Sequence, residues 1–124
     1  MFTDTKAFSG FAVDDIAAAR GFYGDTLGLR TSGEGELLTL HLAGDRDVIV
    51  YRKPDFQPAT YTILNFPVDD IDAAVDELMD RGVAFERYDG FEQDDKGIAR
   101  GTEGPYIAWF RDPAGNILSV LQPT

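Results

Sequence analysis

The fold is decided by a short sequence that occurs twice, as FAVDDIAAA at residues 11–19 and as FPVDDIDAA at residues 66–74. Seven of the nine positions are identical, and every match lies at an offset of 55 residues without a gap. A chain of 124 residues has room for two copies and short tails. The repeat therefore predicts a duplicated module rather than a longer repeat array.

Each copy combines a strand pattern with a helix pattern. The alternation of side chains over residues 6–13 and 61–68 is typical of a β-strand. The Asp-Asp pair that follows suits helix N-capping and the positive end of the helix dipole. An apolar stripe at helical spacing comes next, and Gly28 and Gly82 predict where the two helices end.

Three short strands are expected after each helix. They are predicted at residues 29–32, 36–42 and 47–52 in the first copy, and at residues 84–88, 106–111 and 117–122 in the second. The run DPAGN at residues 112–116 predicts a tight turn, because proline presets its backbone angle and glycine accepts the left-handed one. Each copy is therefore βαβββ, over about residues 5–53 and 60–122, in one α+β domain of residues 1–124.

Residues 89–105 fit neither a helix nor a strand period and contain four glycines. A loop of this length in a compact domain is typically functional or disordered. Our interpretation is a mobile lid over a pocket. The paired Asp94 and Asp95 within it are interpreted as a solvated run of charge.

The composition excludes several classes of protein. Acidic residues outnumber basic residues by 22 to 11, so neither nucleic acid nor an anionic membrane is expected as a partner. The acidity favours a cationic ligand, although solubility accounts for it equally well. The lack of cysteine excludes thiolate catalysis and cysteine-ligated metals. No stretch is apolar enough to span a bilayer and no signal peptide is evident, so a cytoplasmic location is expected.

The two modules resemble the vicinal oxygen chelate superfamily, which includes glyoxalase I, bleomycin-resistance proteins, extradiol dioxygenases and fosfomycin-resistance enzymes. The run FRDPAGNIL at residues 110–118 looks like the family's Asp-Pro-x-Gly-Asn signature, and GFYGDTLGL at residues 21–29 looks like its helix end. The resemblance implies two βαβββ modules in tandem that form a curved, cup-like mixed sheet. It also implies a homodimer, since such cups are commonly completed between subunits.

In the metal-dependent members of that superfamily, four side chains from the strands hold a divalent ion in the cup. The resemblance carries these positions onto Phe8, Val50 or Tyr51, Ile63 and Ser119. None of them is a histidine or a carboxylate, whereas divalent catalytic metals need several such ligands. The sequence therefore predicts that the metal site has been lost and that no cofactor is bound.

The resemblance and strand parity together predict which residues line the cup. The predicted ligand-pocket residues are Phe8, Gly10, His41, Tyr51, Tyr61, Ile63, Asn65, Trp109 and Ser119. A wall that is mostly apolar and aromatic with a few hydrogen-bonding groups is typical of a small-molecule pocket. The alternative is a cup that is filled by its own side chains.

No catalytic constellation is predicted. Ser9, Ser32 and Ser119 have no neighbouring His–acid signature in the sequence, so a Ser-His-Asp triad is not expected. His41 is the only histidine, and a lone histidine in a strand is more often an ordinary sheet residue than a ligand.

Three functions remain open. The favoured hypothesis is a metal-free binding protein, resembling the bleomycin-resistance branch, that sequesters a hydrophobic, aromatic or cationic small molecule without chemistry. The alternative is a lyase, isomerase or dioxygenase of the superfamily, with a displaced metal or with acid–base work by His41 or a carboxylate. The third is a regulatory or interaction domain whose cup is filled.

Overall fold

The computed structural model describes residues 1–101 and 103–124. The chain divides into two compact units, Met1–Gln57 and Pro58–Thr124, and each contains one copy of the repeat. Their boundary falls between the two predicted modules, the first of which ends near residue 53 and the second of which begins near residue 60. The α+β class and the duplicated module are confirmed, while the union of both units in a single domain stays a prediction.

The first unit is a mixed four-stranded sheet with one helical segment. Its elements are β1 (Ser9–Val13), α1 (Ile16–Arg20), β2 (Arg30–Ser32), β3 (Leu37–Leu42) and β4 (Arg46–Arg52). The strand order is β1-β4-β3-β2, with β1 parallel to β4 and the other neighbours antiparallel. After α1 the helix widens into a π-helical segment over Gly21–Thr26, and Gly28 then leaves it with a φ of 73°.

The second unit is a three-stranded sheet with one longer helix. Its elements are β5 (Thr62–Pro67), α2 (Ile71–Asp80), β6 (Tyr106–Arg111) and β7 (Ile117–Gln122). The strand order is β5-β7-β6, with β5 parallel to β7 and β6 antiparallel to it. Gly82 follows α2 with a φ of 89°, as its predicted role at the helix end requires.

The second aspartate of each Asp-Asp pair caps its helix. The Asp15 carboxylate accepts a hydrogen bond from the backbone N–H of Ala18 at 3.0 Å, and Asp70 accepts one from Ala73 at 3.2 Å. Each bond satisfies a backbone donor that the first helical turn leaves without a partner. The predicted capping role is therefore confirmed in both modules.

One predicted strand is corrected. Residues 84–88 form only a single bridge, between Phe85 and Phe110, rather than a ladder. The side chain of Gln93 bonds to two backbone groups of this stretch, the carbonyl of Glu86 at 2.9 Å and the N–H of Tyr88 at 2.8 Å. These groups are consequently paired with a side chain instead of with a neighbouring strand.

In each unit, one face of the sheet packs against the helix and forms the core. In the first unit α1 contacts β3 and β4, and the buried side chains on this face are Val13, Leu38, Leu40, Val48 and Val50. In the second unit α2 contacts β6 and β7, and the buried side chains are Ala108, Phe110, Leu118 and Val120. Strand alternation therefore leaves the opposite face of each sheet to the predicted pocket residues.

No helix in the described part of the chain is long and apolar enough to cross a membrane.

Candidate functional site

Three predicted pocket residues form one row across the sheet of the second unit. Asn65 on β5 pairs with Ser119 on β7, and Ser119 pairs with Trp109 on β6. The Ser119 hydroxyl is fully buried and donates to the Asn65 side-chain oxygen at 2.5 Å. Because paired residues share a face, the row places a hydrogen-bonded polar pair beside the indole ring.

Trp109 lies at the centre of an aromatic cluster. Its ring centroid is 5.4 Å from that of Tyr88 and 5.0 Å from that of Phe91. Ala99 and Ile117 pack into the same cluster. Trp109 is almost fully buried, whereas Phe91 is 55% exposed, so the cluster runs from the sheet to the surface of the unit.

The Tyr88 hydroxyl in this cluster is buried and has no hydrogen-bond partner among the described residues. Burial raises the pKa of this phenol, and the nearby Arg111 opposes the shift only in part. A buried phenol normally finds a partner. The Tyr88 hydroxyl is therefore the least satisfied polar group next to the aromatic cluster.

Two other predicted residues of the second unit lie at the start of β5. Tyr61 immediately precedes the strand and is 70% exposed. Ile63 falls where the register with β7 shifts, between Thr62 and Leu64. They precede Asn65 by four and two residues, but neither takes part in its row.

In the first unit, Gly10, Tyr51 and His41 share the sheet face that points away from the core. Gly10 pairs with Ile49, which lies two residues from Tyr51 on the same strand. His41 pairs with Asp47, two residues from Ile49 on the other side. Tyr51 is 43% exposed, and Phe8 precedes β1 and is 70% exposed. The predicted pocket residues thus form two groups, one in each unit, and their union in one cup stays a prediction.

His41 connects two side chains that sequence reasoning treated as unrelated. Its Nε2 lies 2.7 Å from the Ser32 hydroxyl, and its Nδ1 lies 2.9 Å from an Asp47 carboxylate oxygen. The prediction that Ser32 lacks a His–acid partner is wrong, because two antiparallel pairings bring β2, β3 and β4 side by side. The sequence signal that could have shown this is the alternation of side chains along β2, β3 and β4, which places the three residues on one face of the sheet.

The positions that the resemblance assigns to metal ligands do not fit a divalent ion. Phe8 and Ile63 have no donor atom, and the Ser119 hydroxyl already bonds to Asn65. The remaining position, Val50 or Tyr51, offers at most a phenol. Divalent catalytic metals take imidazole and carboxylate ligands in defined geometry. Among residues 1–101 and 103–124, no three His, Asp or Glu side chains lie together as a metal-binding group.

The segment predicted as a lid is built around Gln93 and Asp94. The Gln93 amide also donates to the Gly97 carbonyl at 2.7 Å. The Asp94 carboxylate accepts from the backbone N–H groups of Lys96 and Ile98, both at 2.9 Å. Burial alone raises the pKa of Asp94, but these bonds and Arg100 outweigh it and hold the pKa below its usual value. Asp94 is exposed, in agreement with its interpretation as solvated charge, but its carboxylate also organises the turn.

Ion pairs join this segment to α2. Arg100 bonds to both carboxylate oxygens of Asp72 at 2.8 Å and to Asp94 at 3.2 Å, and Lys96 pairs with Asp76 at 2.8 Å. The hydrogen bond from Arg100 lowers the pKa of Asp72. A carboxylate whose pKa is lower in the folded than in the unfolded state stabilises the fold at pH values above its unfolded-state pKa. This stabilisation is lost as the pH falls through the lower, folded-state pKa. Acid is therefore expected to loosen the contact between the segment and α2.

A depression of about 610 Å³ lies beside the aromatic cluster, entirely within the second unit. Its lining residues are Gly90, Phe91, Glu92, Gln93, Asp94, Ile98, Ala99, Arg100 and Gly101. This volume is typical of sites that hold small molecules. None of the predicted ligand-pocket residues is in this wall, because the contacts of Gln93, Asp94 and Arg100 that build it depend on tertiary packing.

Replacing Arg100 with alanine is expected to release residues 94–99 from α2, because the paired bonds to Asp72 are lost. Hydrogen exchange of the Ile98 and Ala99 amides should then be faster, while exchange within β7 stays unchanged. Arg46→Ala is the matched control, since this arginine lies in the other unit. Unaltered protection of the two amides in the Arg100 variant would show that the ion pairs do not hold the segment.

The comparisons with known proteins agree with this architecture. A family model described as the Glyoxalase/Bleomycin resistance protein/Dioxygenase superfamily matches residues 7–120. No curated protein sequence matches the chain. Among solved structures, TnmS3, an antibiotic binding protein from Streptomyces sp. CB03234, is 24% identical with a TM-score of 0.72, over 98% of this chain and 99% of that one.

Two further structures show the range of proteins with this fold. Lactoylglutathione lyase from Agrobacterium tumefaciens is 24% identical with a TM-score of 0.65, over 97% of this chain and 95% of that one. The fosfomycin resistance protein FosX from Listeria monocytogenes is 13% identical with a TM-score of 0.72, over 95% and 92%. Identities this low establish the fold and not the activity. The family match over residues 7–120, together with the two modules, confirms the predicted relationship: the chain belongs to the glyoxalase/bleomycin resistance protein/dioxygenase superfamily, the vicinal oxygen chelate proteins.

Proposed function

We propose that this chain is a metal-free small-molecule-binding protein that sequesters an aromatic, preferably cationic, compound. The observation that carries the proposal is the set of side chains at the positions of the superfamily's metal ligands. Phe8 and Ile63 offer no donor, and the Ser119 hydroxyl is committed to Asn65. A chain that keeps the fold but lacks these ligands retains a binding surface without the Lewis acid of its metal-dependent relatives.

The aromatic cluster supports the choice of ligand. Phe91 is half exposed, packs against Trp109 at an interplanar angle of 55° and lines the adjoining depression, so a planar compound in the depression meets its aromatic ring. Aromatic rings favour planar and cationic partners through their quadrupole. The unpartnered Tyr88 hydroxyl supports a ligand that brings a hydrogen-bonding group to this cluster.

Charge supports a cationic ligand. The chain carries a net charge of −11, and Glu92 and Asp94 lie in the wall of the depression. The one arginine in that wall, Arg100, is already paired with Asp72 and Asp94. The likeness to TnmS3, named as an antibiotic binding protein, supports binding without chemistry at this site, whereas the likeness to a lactoylglutathione lyase makes metal-dependent turnover the outcome to test against.

The proposal predicts saturable quenching of Trp109, the only tryptophan, by a planar cationic dye such as proflavine. A neutral planar compound should bind more weakly, and a non-planar one of similar size should not bind. Phe91→Ala should weaken dye binding about tenfold, because an aromatic contact is worth about 1 kcal/mol or more. Phe2→Ala, which removes an exposed ring outside the strands and helices, is the matched control.

Two results would contradict this proposal. One is the absence of saturable binding by any compound of the series. The other is equal affinity of the wild-type and Phe91→Ala proteins, since the ring would then contribute nothing to the site. Metal-dependent turnover of a small substrate would instead support the alternative, a lyase, isomerase or dioxygenase of the superfamily.

We also propose that the protein acts as a cytoplasmic homodimer. β1 and β5 are edge strands of their own sheets, and exposed aromatic residues, Phe8 and Tyr61, precede them. Edge strands with apolar neighbours favour association with a second chain. The subunit count in solution tests this part of the proposal.

A further inference from the structure

The sheet of the first unit aligns a hydroxyl, an imidazole and a carboxylate on one face. Asp47 on β4 pairs directly with His41 on β3, and His41 pairs with Arg30 on β2. Ser32 lies two residues beyond Arg30 on the same strand and therefore faces the same way. Three adjacent strands thus fix the order Ser32, His41, Asp47 on this face.

The hydrogen bonds define which nitrogen of His41 carries the proton. The Asp47 carboxylate only accepts, so the Nδ1 atom 2.9 Å away must donate to it. In the neutral imidazole the lone pair is then on Nε2, which lies 2.7 Å from the Ser32 hydroxyl oxygen. The hydroxyl proton therefore points at a base whose tautomer and orientation a carboxylate holds. This is the division of roles by which a serine hydroxyl becomes a nucleophile.

The group is open to a substrate. Ser32 is exposed, and the His41 and Asp47 side chains are 39% and 51% exposed. Arg30 is exposed on the same face, and among the described residues no ion pair occupies its guanidinium. A cation on the same sheet face as the nucleophile favours the negative charge that develops on a carbonyl oxygen under attack.

We propose that Ser32, His41 and Asp47 form a nucleophilic site that hydrolyses small activated esters through an acyl group on Ser32. The Ser32 oxygen attacks the ester carbonyl while His41 Nε2 takes its proton, and the bond to the leaving alkoxide breaks as that proton is returned to it. A water molecule then attacks the acyl carbon, again passing a proton to Nε2. The carboxylic acid departs when Ser32 recovers its proton. The reaction consumes one ester and one water and needs no metal or redox partner.

This activity is independent of the binding site proposed at Trp109. All of its groups belong to the first unit, whereas Trp109, Phe91 and the depression beside them belong to the second. Loss of dye binding in the Phe91→Ala variant therefore leaves the ester hydrolysis untouched. Failure of either proposal is distinguishable from failure of the other.

The test is hydrolysis of p-nitrophenyl acetate by the full chain. Ser32→Ala and His41→Gln should reduce the rate to that of the buffer. Asp47→Asn should lower it about 100-fold, because the imidazole loses the partner that holds its tautomer. Ser9→Ala, which removes an exposed serine on β1, should retain the wild-type rate. A wild-type rate in Ser32→Ala would overturn the proposal, since His41 would then act alone.

A second measurement identifies the reactive residue directly. A fluorophosphonate reacts with an activated serine by forming a P–O bond and releasing fluoride, and peptide mapping then locates the label. We expect the label on Ser32 and its loss after substitution of His41. Labelling that avoids Ser32, or no labelling of the wild-type protein, contradicts the proposal.

Discussion

The Phe110→Ala variant is expected to lose about 3–5 kcal/mol of the free energy of unfolding. Phe110 lies in β6 and is completely buried, with its ring centroid 5.6 Å from that of Phe85. Removal of the ring leaves a cavity between the sheet and α2 that the neighbouring side chains fill only in part. Small domains are stable by about 5–15 kcal/mol, so this single change brings the protein close to unfolding.

Denaturant unfolding of the full chain measures this loss. Phe2→Ala is the control, because its ring is 75% exposed and its removal should change the free energy of unfolding by less than about 0.5 kcal/mol. Phe110→Leu, which keeps most of the volume, should retain a measurable transition if the alanine variant does not fold. A loss below about 1 kcal/mol in Phe110→Ala would show that this face is not a packed core.

The Asn116→Ala variant is expected to lose about 2–4 kcal/mol, because a buried carboxylate and a partly buried backbone N–H lose a partner at once. The Asn116 side chain donates to the buried Asp112 carboxylate at 3.2 Å, and its oxygen accepts from the backbone N–H of Ala59 at 3.1 Å. Asp112 and Asn116 are 5% and 2% exposed. A buried carboxylate that loses a hydrogen-bond donor costs more than a neutral group does.

The same unfolding measurement checks this prediction, with Gln57→Ala at an exposed linker position as the control. A loss of the expected size would show that the Asp-Pro-x-Gly-Asn signature has a structural role, because its asparagine connects the β6–β7 turn to the start of the second unit. A free energy of unfolding within about 0.5 kcal/mol of the wild type would instead show that water replaces these bonds without cost.

Much of the fold could be predicted from local sequence patterns. The bounds of β6 and β7 agree with the predicted ones, because the intervening turn is set by proline and glycine, and Gly115 has the expected positive φ of 94°. The helix starts were equally predictable, since each depends on one capping aspartate. These features rest on interactions between residues that are close in sequence.

Two features of the fold were not predicted, and each is set by the hydrogen bonding of single groups. The strand predicted at residues 84–88 is reduced to one bridge because Gln93 takes its hydrogen bonds. The widening of the first helix into a π-helical segment is marked by the bond from the Leu27 N–H to the Phe22 carbonyl. Nothing in the periodicity of apolar residues indicates either feature, because both depend on the tertiary environment of single groups.

Part of the candidate site could likewise be predicted from the sequence. The row of Asn65, Ser119 and Trp109 follows from strand parity once the two modules are recognised. The relation of Ser32 to His41 depends instead on the register of a hairpin, which shifts every contact if it slips by one residue. The ion pairs of Arg100 with α2 join residues 28 positions apart, and no sequence motif announces them.

Metal-free binding of a small molecule can be measured on the intact protein. The experiment is native mass spectrometry of the untagged protein, with and without added nickel, zinc, manganese or iron. We predict a dimer whose mass does not change with any of the metals and which shifts by one compound per site when the planar cation is added. One stoichiometric divalent ion per chain, retained at low metal concentration, would contradict the account and favour a metal-dependent enzyme of the superfamily.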